Sequence, residues 1–301
     1  MYFTGWLSSL RPKTLLLSFA ALSLGNAAAY RAGKFNPLIL VLALLTGIGL
    51  QILSNLCNDY GDFTKGTDTE TRTGPLRAIH LGTVDKNQLM KIIISHTLIV
   101  CLTGVGLLFY ALREGTWAEI SFFFLLGLLS IAAAYFYTMS KIPYGYKGMG
   151  DLSVFVFFGL IAVSGSYYLQ TREFNPEIIL PAFAMGAFGI GVLNINNIRD
   201  AKQDVLNGKI TMAVRFGPRG ALIYETSLVV SALLSIFFYL WPIIPLMYLF
   251  PFFIITALPF AILVSKMFRI IAPQELNPIL GKFSASVFQI IMVTCLGLLI
   301  F

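Results

Sequence analysis

Two short stretches of this sequence place carboxylates directly after long apolar runs. The first reads Asn55-Leu-Cys-Asn58-Asp59-Tyr-Gly-Asp62-Phe-Thr-Lys65-Gly-Thr-Asp68. The second reads Asn196-Asn197-Ile-Arg199-Asp200-Ala-Lys-Gln-Asp204-Val-Leu-Asn-Gly208-Lys209. Bare carboxylates at the edge of hydrocarbon are costly and are usually retained because their charge is used. On a helix, positions three, four or seven apart share a face. Asn55, Asn58, Asp59 and Asp62 therefore line one wall, and Asn197, Asp200 and Asp204 line another. Carboxylate and amide oxygens are the hard ligands magnesium prefers, and one or two carboxylates plus substrate phosphate commonly hold it. Two such walls bordered by Lys and Arg imply a divalent metal gripping a diphosphate, with the basic side chains on its outer oxygens.

An allylic diphosphate ionises readily once its leaving group is stabilised. Such a site needs a metal at the head and an apolar tunnel for the tail. Phe155, Phe157, Phe158, Tyr167 and Tyr168 are available to line one. Cation–π stabilisation by them is physically reasonable, though an aromatic stripe in a membrane helix is more often packing.

The elements that carry these residues are set by composition. Of the 301 residues 57% are hydrophobic and 12% charged, with mean hydropathy +0.81, whereas soluble domains carry about 25% charged residues. The chain is expected to be an all-α, polytopic bundle around a central cavity, one transmembrane domain over 1–301. Apolar runs near the roughly 20 residues a spanning helix needs fall at about 14–30, 37–55, 89–112, 117–139, 151–170, 177–195, 220–240, 243–265 and 281–301. Pro242, Pro245, Pro251 and Pro259 predict kinks or a broken start in the eighth. No short cleavable apolar segment precedes the first, so the N-terminus reads as mature.

Seventeen of the 21 basic residues fall on one side of this topology; Arg31, Lys34, Arg113 and Arg172 fall on the other. The rule that loops rich in Lys and Arg stay inside puts the N-terminus and the motif loops in the cytoplasm and the C-terminus outside. The net charge of +7 is then topology signal and attraction to the lipid bilayer, and implies no nucleic-acid partner. Cys57, Cys101, Cys295, His80 and His96 show no metal or redox spacing. Both motifs follow even-numbered spans and end near Gly-Pro beside Arg (Gly74-Pro75-Leu-Arg77 and Arg215-Phe-Gly217-Pro218), which suggests two similar half-bundles facing across the cavity.

At these residues the chain resembles the UbiA superfamily of intramembrane prenyltransferases, and most closely its 1,4-dihydroxy-2-naphthoate polyprenyltransferase branch. The superfamily's Asn-Asp-x-x-Asp motif is matched by Asn58, Asp59 and Asp62, and its Asp-x-x-x-Asp motif by Asp200 and Asp204. Branch-like segments are Gly-Pro-Leu-Arg77, Pro-Tyr-Gly-Tyr-x-Gly from Pro143, and the run from Asn196 through Gly208-Lys209 to Val214-Arg215-Phe-Gly217. The superfamily's third Asp would fall at Gly66; here the carboxylate stands two residues on, at Asp68. A Tyr-x-x-x-Lys element is matched by Tyr137 and Lys141.

The resemblance implies a magnesium-dependent transfer in the menaquinone route. A polyprenyl diphosphate ionises, the ring of 1,4-dihydroxy-2-naphthoate attacks the allylic carbon, and carbon dioxide is lost, giving demethylmenaquinone in a cell (inner) membrane. It implies Asp59, Asp62, Asp68, Asp200 and Asp204 as metal ligands, with Asn58 and Asn197 beside them, and Tyr137 and Lys141 at the diphosphate. Lys65, Arg77, Arg199, Lys209 and Arg215 are candidates for phosphate or for the naphthoate carboxylate. Two alternatives remain: another aromatic acceptor (4-hydroxybenzoate or homogentisate), and a secondary transporter with intramembrane carboxylates.

Overall fold

The computed structural model describes residues 2–66, 74 and 76–301. Asp68 and Arg72 lie outside the described residues. The order of elements is α1 (Tyr2–Leu10), α2 (Pro12–Arg31), α3 (Pro37–Thr64), α4 (Lys86–Ala111), α5 (Trp117–Thr138), α6 (Gly150–Val154), α7 (Ser166–Thr171), α8 (Ile179–Leu206), α9 (Met212–Leu240), α10 (Leu246–Met267) and α11 (Leu276–Ile300). A π-helical stretch, Phe155–Gly165, joins α6 to α7 into one span.

Among the described residues, eight helical segments are long and apolar enough to cross a membrane. The ninth expected span is α2. It is a 20-residue helix that carries Lys13, Asn26 and Arg31 among many Ala and Ser and is the least apolar of the set. Its Leu17, Ala20, Ala21 and Leu24 are buried, and it packs along α11. The protein is thus an integral membrane helix bundle.

Local chemistry sets the helix ends. Asp85 and Gln88 form a capping box at α4, and Thr116 and Glu119 form another at α5, each satisfying free N–H groups of the first turn. Asn36 and Thr211 cap α3 and α9 with their side-chain oxygens. Of the kinks or broken start expected in the proline-rich eighth span, the structure has the late start: α10 begins at Leu246 after a turn, with Pro245 at its N-cap. Pro251 and Pro259 sit inside an uninterrupted α10, whereas α9 breaks at Gly217, whose φ of 69° and ψ of 176° precede Pro218.

Three apolar cores form among the described residues. The largest joins α2 and α8–α11 around Phe188, Phe260 and Phe283, with Phe188 stacked on Phe260 at 5.1 Å. A second joins α3, α4 and α5 to the turn at 78–84, and a third gathers Leu22 of α2, Ile39 and Ala43 of α3, Leu107 of α4 and Leu169 of α7. One motif helix, α3, belongs to the second and third cores, and the other, α8, is the mostly buried centre of the largest. Small residues allow the closest approaches: a Cβ on Gly25 of α2 would stand 2.2 Å from the Val163 carbonyl oxygen.

Candidate functional site

A cavity of about 540 Å³ lies among these cores. Arg11, Asn55, Asn58, Tyr137, Tyr144 and Asn196 line its polar end. From there it runs past Phe157 and Phe158 to an apolar end at Leu22, Leu108, Phe123 and Leu169. The π-helical stretch carries Phe157, Phe158 and Ile161 on this wall. The other predicted aromatics do different work: Phe155 packs against Phe183 at 5.5 Å, Tyr167 is buried in the largest core, and Tyr168 donates to Glu119 at 2.7 Å.

The two motif helices end alike. α3 stops at Lys65 followed by left-handed Gly66, and α8 stops at Asn207 followed by left-handed Gly208 and then Lys209. At α8 the Lys209 N–H returns to the Asp204 carbonyl at 2.8 Å, the wrap-around closure that a left-handed glycine permits. This turns the Lys209 side chain back over the motif, where its Nζ lies 3.3 Å from Asp62 Oδ1 on α3. Tyr146, from the loop between α5 and α6, donates to the same Asp62 oxygen at 2.6 Å, and its ring lies 4.5 Å under the Lys209 ammonium. That loop is pinned by the Ile210 N–H on the Tyr146 carbonyl (2.8 Å) and by Arg215 on the Lys147 carbonyl (3.0 Å).

Lys65 donates to the carbonyls of Thr138 and Ser140, both at 2.6 Å, closing the C-terminus of α5. Burial lowers the pKa of its ammonium from the ordinary value; Asp62 opposes the shift and the Lys209 charge adds to it. The Lys209 ammonium stands on the Asp62 carboxylate and the Lys65 charge is felt beside it, an arrangement that favours a further anion.

On α8, Arg199 holds Asp200 by two hydrogen bonds of 2.8 and 2.6 Å and bonds Asn277 of α11 at 2.8 Å. Asp204 is buried, feels the charges of Lys209, Asp200 and Asp62, and its carboxylate accepts no hydrogen bond among the described residues. Asn197 is half-buried on the same helix. Asn58 accepts from Thr138 at 3.3 Å, and Tyr137 packs edge-on to Tyr144 at 5.2 Å. No group of three or more His, Cys, Asp or Glu side chains among the described residues could by itself hold a metal.

Three placements differ from expectation. Asp59 does not stand with Asp62 as an open ligand. Its Oδ1 accepts from Arg11 at 2.6 Å and lies 3.6 Å from Arg77 Nε, because α1 folds over this end of α3. Arg77 is buried and donates to the carbonyl and hydroxyl of Ser8, tying α1 down with the Ala78–Ser9 bond. Lys141 is exposed in the turn after α5 and forms no ion pair among the described residues.

Sequence reasoning missed Tyr146, although its Pro-Tyr-Gly-Tyr segment was singled out. It also missed a buried pair of acids next to the site. Tyr224 donates to Asp151 at 2.9 Å, and fully buried Glu225 accepts from Asn194 at 2.9 Å. A carboxylate inside an apolar run is the signal that marks Glu225.

Comparison with known proteins agrees with this architecture. Residues 15–290 match the model of the UbiA prenyltransferase family. A 1,4-dihydroxy-2-naphthoate octaprenyltransferase of Haemophilus influenzae is 43% identical over 98% of this chain and 96% of its own. Its namesake in Escherichia coli K12 is 47% identical over 77% of this chain and 74% of its own. Among solved structures, the apo UbiA homolog of Aeropyrum pernix K1 superposes with TM-score 0.69 at 16% identity, covering 93% of this chain and 96% of that one. The Archaeoglobus fulgidus homolog bound to DMAPP and Mg2+ gives TM-score 0.61 at 18% identity, covering 96% and 99%. The chain therefore belongs to the UbiA prenyltransferase family.

Proposed function

We propose that this protein transfers a polyprenyl group from polyprenyl diphosphate to 1,4-dihydroxy-2-naphthoate, releasing diphosphate and carbon dioxide. The substitution is redox-neutral and leaves the hydroquinone of demethylmenaquinone. The observation that carries the reading is the Lys209–Asp62 ion pair of 3.3 Å, which joins the ends of the two acidic helices and leaves Asp204 within reach of the Lys209, Asp200 and Asp62 charges, beside a cavity that Asn58 lines. The similarity to naphthoate octaprenyltransferases over nearly the whole chain supports the choice of acceptor.

The donor set suits Mg2+. Asp204 is a buried carboxylate with no hydrogen-bond partner among the described residues, and Asp62 and Asp200 add oxygens from both walls. Two carboxylates with substrate phosphate suffice for this ion, so a preformed three-acid cluster is not required. Bound there, magnesium would neutralise the diphosphate leaving group. Asn58 and Asn197 flank the carboxylates, and Lys65, Lys209 and Tyr146 stand where they can take the outer diphosphate oxygens. Arg199 orients Asp200, while Asp59 and Arg77 build the floor beneath. Tyr137 closes the polar end, with Phe157 and Phe158 along the tail. Arg215 fixes the Tyr146 loop, and Lys141 is free to reach a bound diphosphate from outside. The motif loops and N-terminus face the cytoplasm and the C-terminus faces out, following the basic residues.

Purified protein given one prenyl diphosphate and, in parallel, dihydroxynaphthoate, 4-hydroxybenzoate or homogentisate tests the acceptor. Preference for either of the last two would displace this reading.

A further inference from the structure

Dihydroxynaphthoate keeps its carboxylate until after the new carbon–carbon bond forms, so the acceptor enters an apolar cavity as an anion. A buried anion needs a buried donor, and a planar guanidinium meets a carboxylate best. Four arginines are near enough to consider, and the structure separates them. Arg199 is engaged by Asp200 and Asn277 and lies outside the cavity. Arg215 is exposed, bonded to the Lys147 carbonyl, and outside the cavity. Arg77 is also outside it, turned toward Ser8. Arg11 lines the cavity.

We infer that Arg11 is the residue that recognises the acceptor carboxylate, a specificity determinant that rests on the reaction proposed above. Three observations meet at this side chain. Its guanidinium makes one hydrogen bond among the described residues, to Asp59, and its buried Nε makes none. Asp59 divides its charge between Arg11 and Arg77, so Arg11 is held in place without being fully neutralised. The backbone at Arg11 is left-handed, with φ 52° and ψ 65°, a costly conformation for a non-glycine residue and one retained where the surroundings enforce it. Pro12, the first residue of α2, and the Asn55 side-chain donation to the Leu10 carbonyl at 3.0 Å supply that enforcement.

Arg11 also stands on the correct side of the chemistry. The acids and ammonium groups that suit a diphosphate gather around Asp62 at the loop ends of α3 and α8. Arg11 faces the cavity beside Asn55 and Asn58, one to two turns further in. An acceptor anchored there lies between the diphosphate head and the tail tunnel, with the Arg11 charge set between its carboxylate and Asp59.

The test compares two inhibitors that differ only in the carboxylate, 1-hydroxy-2-naphthoate and 1-naphthol, on wild type, Arg11→Gln and Arg11→Lys. In wild type the carboxylate should strengthen binding about tenfold or more, the worth of a charge-assisted hydrogen bond. In Arg11→Gln the two inhibitors should become nearly equal, while the KM for prenyl diphosphate moves less than about twofold. General damage to the fold weakens both inhibitors together and leaves their ratio unchanged. Should Arg11→Gln fail to fold, Arg11→Lys keeps the pairing with Asp59 and should lose part of the ratio. An unchanged ratio, or a loss confined to the prenyl donor, overturns the assignment. Inhibitor binding is read by thermal shift as well as by turnover, so a wild type that ignores dihydroxynaphthoate would refute the acceptor reading on its own.

Discussion

The Lys209 ammonium lies 3.3 Å from Asp62 Oδ1, although the two residues are 147 positions apart. This contact joins the end of α3 to the end of α8 and so brings the two acidic motifs into one site. It follows from local rules. Each helix carries its acids on one face, each is stopped by a left-handed glycine, and the neighbouring lysine is folded back over the end. The pair also neutralises Asp62 while no diphosphate is bound.

Asp62→Ala and Asp204→Ala should each cut turnover by about a thousandfold or more, because loss of a leaving-group ligand raises the barrier by several kcal/mol. Thermal unfolding of Asp204→Ala should stay near wild type, since its carboxylate holds no other element, whereas Asp62→Ala loses the Lys209 and Tyr146 contacts and should melt lower while still folding. Steady-state kinetics on detergent-purified protein is the check. Activity within tenfold of wild type in either variant would be incompatible with the proposed clamp.

Tyr146→Phe removes only the hydroxyl that donates to Asp62 at 2.6 Å. A hydrogen bond to a charged group contributes about 1.5–3 kcal/mol, so kcat/KM for the prenyl donor should fall about tenfold or more. The aromatic ring beneath Lys209 remains. Tyr146→Leu removes that as well and should be worse; equal activity in all three proteins would mean Tyr146 is only a loop residue.

The helix-spaced acids made both walls legible in the sequence, as did the apolar runs that became the spans. What could not be read depends on tertiary placement. Asp59 has the same motif credentials as Asp62, yet α1 brings Arg11 and Arg77 onto it, and nothing in the local pattern predicts where a short helix before Pro12 will fold. Tyr146 looks like one tyrosine among 13 until the α8 end closes over its loop. The prolines of α10 suggested a kink because the chain lacks an N–H at each. Gly217 produced one instead, since a φ of 69° is open to glycine and to few other residues.

Packing gives an independent expectation. At Gly25 an added Cβ would meet the Val163 carbonyl oxygen at 2.2 Å, so Gly25→Ala must push α2 from the π-helical span at a cost of about 1–3 kcal/mol. Its melting temperature should drop clearly. Gly106→Ala, where nothing lies within 4 Å, should melt like wild type and serves as the control.

Membrane orientation is checked with fused reporters. Those placed after about residues 75, 145, 210 and 275 should read cytoplasmic, and those near 34, 115, 174 and the C-terminus external, as the basic asymmetry dictates. A cytoplasmic C-terminus would mean that one of the nine expected spans does not cross, with α2, the least apolar, the first to re-examine.

The central claim is metal-dependent prenylation of dihydroxynaphthoate at the joined acidic motifs. Membranes containing this protein, given radiolabelled polyprenyl diphosphate and dihydroxynaphthoate, should form a labelled apolar naphthoquinol and release carbon dioxide in equal amount. Chelation of divalent cations should stop both, and added Mg2+ should restore both. Prenylation that persists through chelation, or label transferred without carbon dioxide, would contradict the account.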